Sequence, residues 1–567
     1  MKNKSLVFAS IILVCAFSPI AVKGQSMPYT FSANTAAKAS EVNENFTYLL
    51  KRFGTRQTSV NCSAGESITT ALQNYNHIVI SGICTENLSL DATTLPHRLV
   101  ILEGSSSSSD GISASDTSKP VINVFNGSIT LKISKLKLTG GTRGIEGYLG
   151  PTIILNNILV ENNTSFGIAN WSGSRLFIKE STIQNNGETA IISGESSYVE
   201  IVRNTITGHT NYHSILITRA GSAWIANNTI TNGKDAGIQI ESGSSAYIRH
   251  NTIQSAENGI SVSGSSNARL RYNTINNNSK SGLYVENNGS VVLEAGNTFS
   301  NNSEHGIALS IGGSLIMWCN AQLTTATTIS GNTNNAINIG RGGSANLCNL
   351  TITGSTQTGI QVGGGGMLEI KNSTISGSTK HGIKAELGAT LNITNTSITS
   401  NQKDGISLWG AKGGLDNVTI TGNANAGIRV NNGMLDIGNS TISGNTYGGI
   451  DSNQQSAIHL NGGIIIENNA FGISLNNSTL FQYDVTSTSY IRNNTNIEIY
   501  ATMSSIGLNK VTVGGTSGSN EISLLKGSIL TIGTSTSITG TILCDGSLNT
   551  GKFIDDAISL SPTTSGC

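Results

Sequence analysis

The chain has 567 residues, 66 of them glycine and six proline, with 12% charged and 5% aromatic side chains and a formal net charge of zero. No basic stripe is present, which argues against a nucleic-acid binder working by phosphate neutralisation. The recurring Ile, Val and Leu supply a core, which excludes a disordered chain despite the glycine content.

Met1 to Gly24 reads as a secretory signal. Lys2 and Lys4 precede an apolar run from Leu6 to Phe17 that is too short for a bilayer span. Its removal leaves 30 basic and 33 acidic residues, a net charge of −3. No later segment qualifies as a membrane-crossing helix. An exported product is expected: secreted, cell-surface or periplasmic. Residues 25–59 form a leader in which Ser40 starts an amphipathic helix carrying Val42, Phe46, Leu49, Leu50 and Phe53. A leader lying on the body is favoured over an oligomerisation helix, so a monomer is expected.

Residues 60–104 read as an N-terminal cap with the first coils. Ile68, Ala71, Leu72 and Tyr75 share one helical side. Ser63 with Glu66 fits a capping box, and Ser67 is the alternative start. His77 to Gly82 and Leu88 to Leu90 are the first strands. Ser105 to Ser109 is expected as a flexible excursion.

Residues 105–500 are dominated by a repeat. A small residue precedes an aliphatic one fifteen times, from Gly144-Ile145 to Gly472-Ile473, in steps of 22 to 24 residues and one of 30 between Gly306 and Ala336. Gly237 to Asn258 shows the unit: Ile238 and Ile240, then Ala246 and Ile248, then Asn251 and Ile253. Each pair alternates with polar residues, and Gly, Ser and Asn clusters separate the runs. Three strands and three turns in about 23 residues make one coil of a right-handed parallel β-helix, because a single coil cannot bury its apolar side alone. The fold class is therefore an all-β, single-stranded solenoid with a short helical cap. Sixteen recognisable coils give a rod of roughly 75 Å at about 4.8 Å per coil.

Two asparagine columns follow from the repeat. One holds Asn204, Asn228, Asn251, Asn273 and Asn297. The other holds Asn232, Asn277, Asn301, Asn332, Asn401, Asn423 and Asn445. Stacked amides can satisfy a buried turn. Residues 501–567 are degenerate last coils and a C-terminal cap. Six cysteines remain after the signal, and proximity groups them as Cys62 with Cys84, Cys319 with Cys348 and Cys544 with Cys567. Export permits disulfides, and no close cysteine–histidine spacing suggests a metal.

From about Val60 to Cys567 these coils resemble the right-handed parallel β-helix of the pectin-lyase-like superfamily. The entry stretch from Asn61-Cys62 to Cys84-Thr85-Glu86-Asn87 resembles that of exported bacterial β-helix proteins. The resemblance implies the fold and leaves lyases, polygalacturonases, uronate epimerases, tailspikes and adhesins open. The Asp-Pro-His signature of the epimerases is absent. So is the Asn-x-Asp, Asp-Asp, Gly-His-Gly and Arg-x-Lys set of the polygalacturonases, save Asp555-Asp556 in the tail.

Outward positions on neighbouring coils bring Trp224, Tyr247, Arg249, Arg269 and Arg271 to one strip. Rings can stack on sugar faces and arginines can pair with acidic sugars; cross-strand packing with no ligand explains the same pattern. Asp235, Glu257 and Glu304 each lie two residues before a repeat glycine. Asp235 and Glu257, one coil apart, are the carboxylates to consider for catalysis together with Arg249 and Arg271; solvated turn acids are the plainer account. Glu241 and Glu286 form a second such pair. His305, His381 and Asp404 share the position before the repeat glycine, with the two histidines three coils apart. No cofactor is expected, Ca2+ at the turn acids being the one candidate. The sequence thus points to a non-catalytic surface or carbohydrate-interacting rod with a polysaccharide or cell-surface glycan as partner. The alternatives are a lyase or glycoside hydrolase on an acidic glycan and a fibre-like oligomeric adhesin.

Overall fold

The computed structural model describes residues 55–567 except 210, 320–324, 483–485, 516–519, 534, 545–552, 556–562 and 566–567. The signal, the Ser40–Phe53 helix and Cys567 lie outside these. Within them, each coil contributes three short strands. In one coil these are Ser245–Arg249, Thr252–Gln254 and Asn258–Val262. Ser245–Arg249 alternates in burial, so Ala246 and Ile248 point inward. Each strand pairs in parallel with its equivalent one coil on, as in Ala246↔Ala268 and Ile248↔Leu270.

The stacking builds three parallel sheets, called here first, second and third in the order the chain visits them. They hold 22, 20 and 21 strands among the described residues. About 21 coils therefore stand where sixteen were recognised, and the rod is about 100 Å long at about 4.8 Å per coil. Coils before Gly144 and after Asn496 lack the small-aliphatic signature but keep the alternation that buries Val100, Leu102, Ile506 and Ile532. One contiguous core runs along the axis. Each isoleucine fully buried in it stabilises the coil by about 1.5–3 kcal/mol.

Two amide ladders close the turns. In the first, the side chain of Asn251 donates to Asn273 Oδ1 at 3.1 Å and its own backbone N–H donates there at 3.0 Å. The same links join Asn204, Asn228, Asn251, Asn273 and Asn297, as expected. The second ladder is corrected in register. Its members are Asn163 and Asn186, then Asn278, Asn302 and Asn332, and farther on Asn401, Asn423, Asn445, Asn469 and Asn494. Asn232, Asn277 and Asn301 instead occupy the residue before, in the left-handed conformation with φ of 57°, 53° and 54°. That turn needs one residue at positive φ and then one facing inward, and consecutive asparagines serve both needs. Asn273→Ala should orphan buried groups on both neighbouring coils at about 1–3 kcal/mol each. Urea unfolding of the variant, against Asn277→Gly, which keeps the left-handed turn and should change little, measures this.

The N-terminal end begins one strand earlier than expected, with Gln57–Asn61 paired to His77–Ser81. The helix is only Ile68–Ala71, and Ser67 is its cap, accepting from Thr70 N. The Ser63 capping box does not form, because Ser63 lies inside a single 3-10 turn whose cap is Asn61. Glu86 reaches over from the coil to accept from Ile68 N and Thr69 N. Ser105 to Ser109 is not a loose excursion. It folds around Asp110, which accepts from Gly82 N, Ser105 N and Ser106 N. Burial opposes ionisation there, yet these donors hold the Asp110 carboxyl down at about 2. Cys62–Cys84 and Cys319–Cys348 are disulfides. Cys544 is also disulfide-bonded.

Candidate functional site

The strip expected on the first sheet is assembled, but its members face one another. Trp224 and Tyr247 pack edge to face at 4.9 Å. Arg249 lies 4.9 Å over the Trp224 ring, and Arg269 lies 5.3 Å over Tyr247 and 4.9 Å over Trp318. Arg271 lies over Tyr272 at 5.0 Å. Beneath them the buried Glu294 pairs with Arg269, approaches Arg271 at 4.0 Å and accepts from the Tyr247 hydroxyl at 3.2 Å. A shallow recess of about 310 Å³ remains beside Trp224, Tyr247 and Arg269. The cations and rings are largely spent on each other.

Asp235 and Glu257 do not join that strip. Both sit in the turn leading to the third sheet, whereas Arg249 and Arg271 lie on the first. Glu257 forms an ion pair with Lys280. The Lys280 ammonium is held up in pKa by Glu257 first, with Glu304 and Asp235 adding to it. These acids thus share a cation. Glu241 and Glu286 accept from Thr218 and Tyr284 hydroxyls. Among the described residues no group of three or more His, Cys, Asp or Glu side chains can hold a metal ion.

A much larger cleft than that recess lies elsewhere, on the third sheet, with a volume of about 1040 Å³. Strands Ile383–Glu386, Ile406–Trp409 and Ile428–Asn431 form its floor, and Gly448–Asn453 follows one coil on. Alternation puts Ile383, Ile406, Ile428 and Ile450 in the core and stacks Lys384, Ser407, Arg429 and Asp451 in one outward column. A second outward column carries Glu386, Trp409 and Asn431. In the preceding turn, His381 and Asp404 occupy equivalent places one coil apart, with Gly382 N donating to Asp404 O.

Charge in the floor is organised around Arg429. Its Nε lies 3.2 Å from Asp404 Oδ2 and its Nη1 lies 2.6 Å from Asp451 Oδ2. Asp404 also accepts from Ala426 N at 3.2 Å and has His381 Nδ1 at 3.2 Å, a contact off the ring N–H axis. Both aspartates are buried. Burial alone would raise the Asp404 pKa, but His381 and Arg429 outweigh it and hold the carboxyl low. Burial raises Asp451, with the Asp404 charge adding to it against Arg429. The two carboxyls are pushed apart, one toward the ionised and one toward the protonated form. Lys384 and Glu386 pair at 2.6 Å along the rim.

Trp409 decides what this cleft can hold. It is 47% exposed, and its indole N–H donates to Ser407 Oγ at 3.0 Å. Trp171, Trp224 and Trp318 each lie under a guanidinium, of Arg219, Arg249 and Arg269. Among the described residues no guanidinium covers Trp409. Leu387, 74% exposed, extends the same apolar lip. The sequence signal was present: His381 to Asp404 is 23 residues and Arg429 to Asp451 is 22, each one coil.

The chain matches the family described as right handed beta helix region over residues 98–253, 173–321 and 313–423, which together span more than half of it. It belongs to the right-handed β-helix family. No curated protein matches it. Solved structures similar to this family member include a mutant of the periplasmic alginate epimerase AlgG. That match has 15% identity and a TM-score of 0.31, and covers 56% of this chain and 76% of the other. The catalytic domain of a GH87 α-1,3-glucanase in complex with tetrasaccharides gives 17%, 0.29, 67% and 65%. The A-module of the Azotobacter vinelandii mannuronan C-5 epimerase AlgE6 gives 10%, 0.19, 86% and 99%. Overlaps this loose do not carry an activity across. Among the described residues no helix is long and apolar enough to cross a membrane.

Proposed function

We propose that this β-helix is an exported carbohydrate-interacting rod that takes one stretch of a glycan chain into the third-sheet cleft. The bare Trp409 carries the reading: a half-exposed ring beside Leu387, above a floor of Lys384 and Arg429, offers a stacking face and cations together. An open cleft across several coils suits a chain that continues past both ends, and the cations favour acidic sugars. The disulfides at Cys62–Cys84 and Cys319–Cys348 support an oxidising, extracytoplasmic compartment.

Turnover is the second reading. His381 Nδ1 lies 3.2 Å from Asp404 at the cleft wall, an arrangement that suits a general base and the carboxylate that orients it. Purified mature protein should be titrated with polyuronates and neutral glycans while new reducing or unsaturated ends are followed. The expected outcome is saturable binding to an acidic glycan, weakened at least tenfold in Trp409→Ala and unchanged in Trp224→Ala. Binding that ignores Trp409 removes the cleft as the site. New chain ends that vanish in His381→Ala move the assignment to an enzyme.

A further inference from the structure

The second sheet carries a surface unlike the other two. Its outward residues form two columns, one on each side of a file of fully buried apolar residues such as Ile352, Ile375 and Ile398. The first column runs from Thr182 to Thr441 through twelve coils and is threonine at every position except Ser397. The second runs beside it from Gln184 to Ser443, and from Ser300 onward it too is only serine or threonine. Neither column holds a charged or aromatic side chain over this span, in a chain with 33 basic and 33 acidic residues. The face ends abruptly, at Leu159 and Glu161 before it and at Ile465 and Glu467 after it.

The backbone sets these residues on a lattice. Coils are about 4.8 Å apart, and residues two apart in one strand are about 6.6 Å apart. β-Branched threonine holds its methyl and hydroxyl in few rotamers. Two stacked pairs among the described residues turn their hydroxyls toward each other and so leave that spacing, Thr231 Oγ1 donating to Thr207 Oγ1 at 2.8 Å and Thr328 Oγ1 to Thr298 Oγ1 at 3.2 Å. In tetrahedrally bonded water, an O–H···O length of about 2.75 Å puts second-neighbour oxygens about 4.5 Å apart and the stacking repeat at about 7.3 Å. Both spacings of the face come within about a tenth of these. A protein partner would use aromatic and arginine anchors, and a nucleic acid would need cations. A neutral, two-dimensionally periodic ligand with the spacing of water remains.

We propose that the second sheet, chiefly the coils from Thr298 to Ser443, is a binding face for the crystal surface of ice. The threonine methyls exclude liquid water and the hydroxyls take lattice positions. The site is separate from the third-sheet cleft.

The test is partition of the mature protein into a slowly grown ice hemisphere beside an inert protein, with freezing hysteresis measured in parallel. The wild type should be enriched severalfold in the ice and Trp409→Ala should match it. The pair Thr351→Tyr with Thr374→Tyr should fall to the inert level while keeping the wild-type circular dichroism and urea midpoint. Thr374→Lys serves if the tyrosine pair does not fold, and should give the same loss. Exclusion of the wild type from ice overturns the proposal. It is equally overturned if these threonines govern instead the sedimentation of a dimer or adsorption to an insoluble crystalline glycan, either of which would name a different occupant.

Discussion

Arg429→Met is expected to lower stability by about 3–5 kcal/mol, the scale for breaking a buried ion pair from one side. The side chains of Asp404 and Asp451 are only 2% and 6% exposed, and Arg429 is the cation both share. Its removal strands two carboxylates on the same floor. Charge is the cause, so Asp404→Asn with Asp451→Asn added to Arg429→Met should recover most of the loss. Arg429→Lys should sit between, because an ammonium cannot address the two aspartates from separate nitrogens as the guanidinium does. Urea unfolding of the three variants beside the wild type measures the series. If Arg429→Met is neutral, the aspartates are not held as charges. The same variant should lose acidic-glycan binding even where the coils stay folded, which titration at low urea can separate.

The second large effect concerns the far end of the second amide ladder. Asn469 passes to Asn494, and Asn494 donates to Glu498 through its backbone N–H and its side chain. Glu521 stands beside Glu498 one coil on, also buried. Burial, then the Glu498 charge, lifts the Glu521 carboxyl from 4.5 to about 7. Burial also raises Glu498. A folded carboxyl raised above its unfolded value favours the native state while protonated. That stability is complete below about pH 4.5, declines above it and is lost as pH passes about 7. Glu521→Gln removes the titration. It should be more stable than wild type at pH 8 by about 3 kcal/mol, a shift of some 2.5 units at 1.36 kcal/mol each, and no different at pH 4. Thermal unfolding of the last coils at both pH values is the measurement. An equal response at both would show that the carboxyl titrates normally.

The coils were legible in the sequence because period-two burial and a 23-residue step leave few alternatives. Leu102 and Ile506 escaped only because their coils drop the small-aliphatic signature. The second ladder was misread at Asn277 and Asn301, where adjacent asparagines offer two registers and only the backbone angle chooses. The cleft was harder. Arg429 lies between Ile428 and Val430 in a pattern identical to a solvated strand face. Its partial burial goes with Tyr447 and the aspartates of neighbouring coils, which no single stretch of sequence displays. His381 and Asp404 were seen to share a position, yet their value depends on Arg429 closing the group from the next coil.

The rod's strands run across its length, so a pull on its two ends loads the inter-coil hydrogen bonds one coil at a time rather than all together. Each coil that peels away frees some 23 residues, about 75 Å of slack chain at about 3.3 Å per residue. A molecule about 100 Å long thus stores many times its own length. It surrenders that length in quanta, a behaviour closer to a ratchet strap than to a strut. The crosslinks are exceptions, Cys62–Cys84 near one end and Cys319–Cys348 in the interior, since the loops they close cannot be drawn out by force alone. The tether therefore has a fixed knot near its middle, dividing a yielding N-terminal half from a yielding C-terminal one.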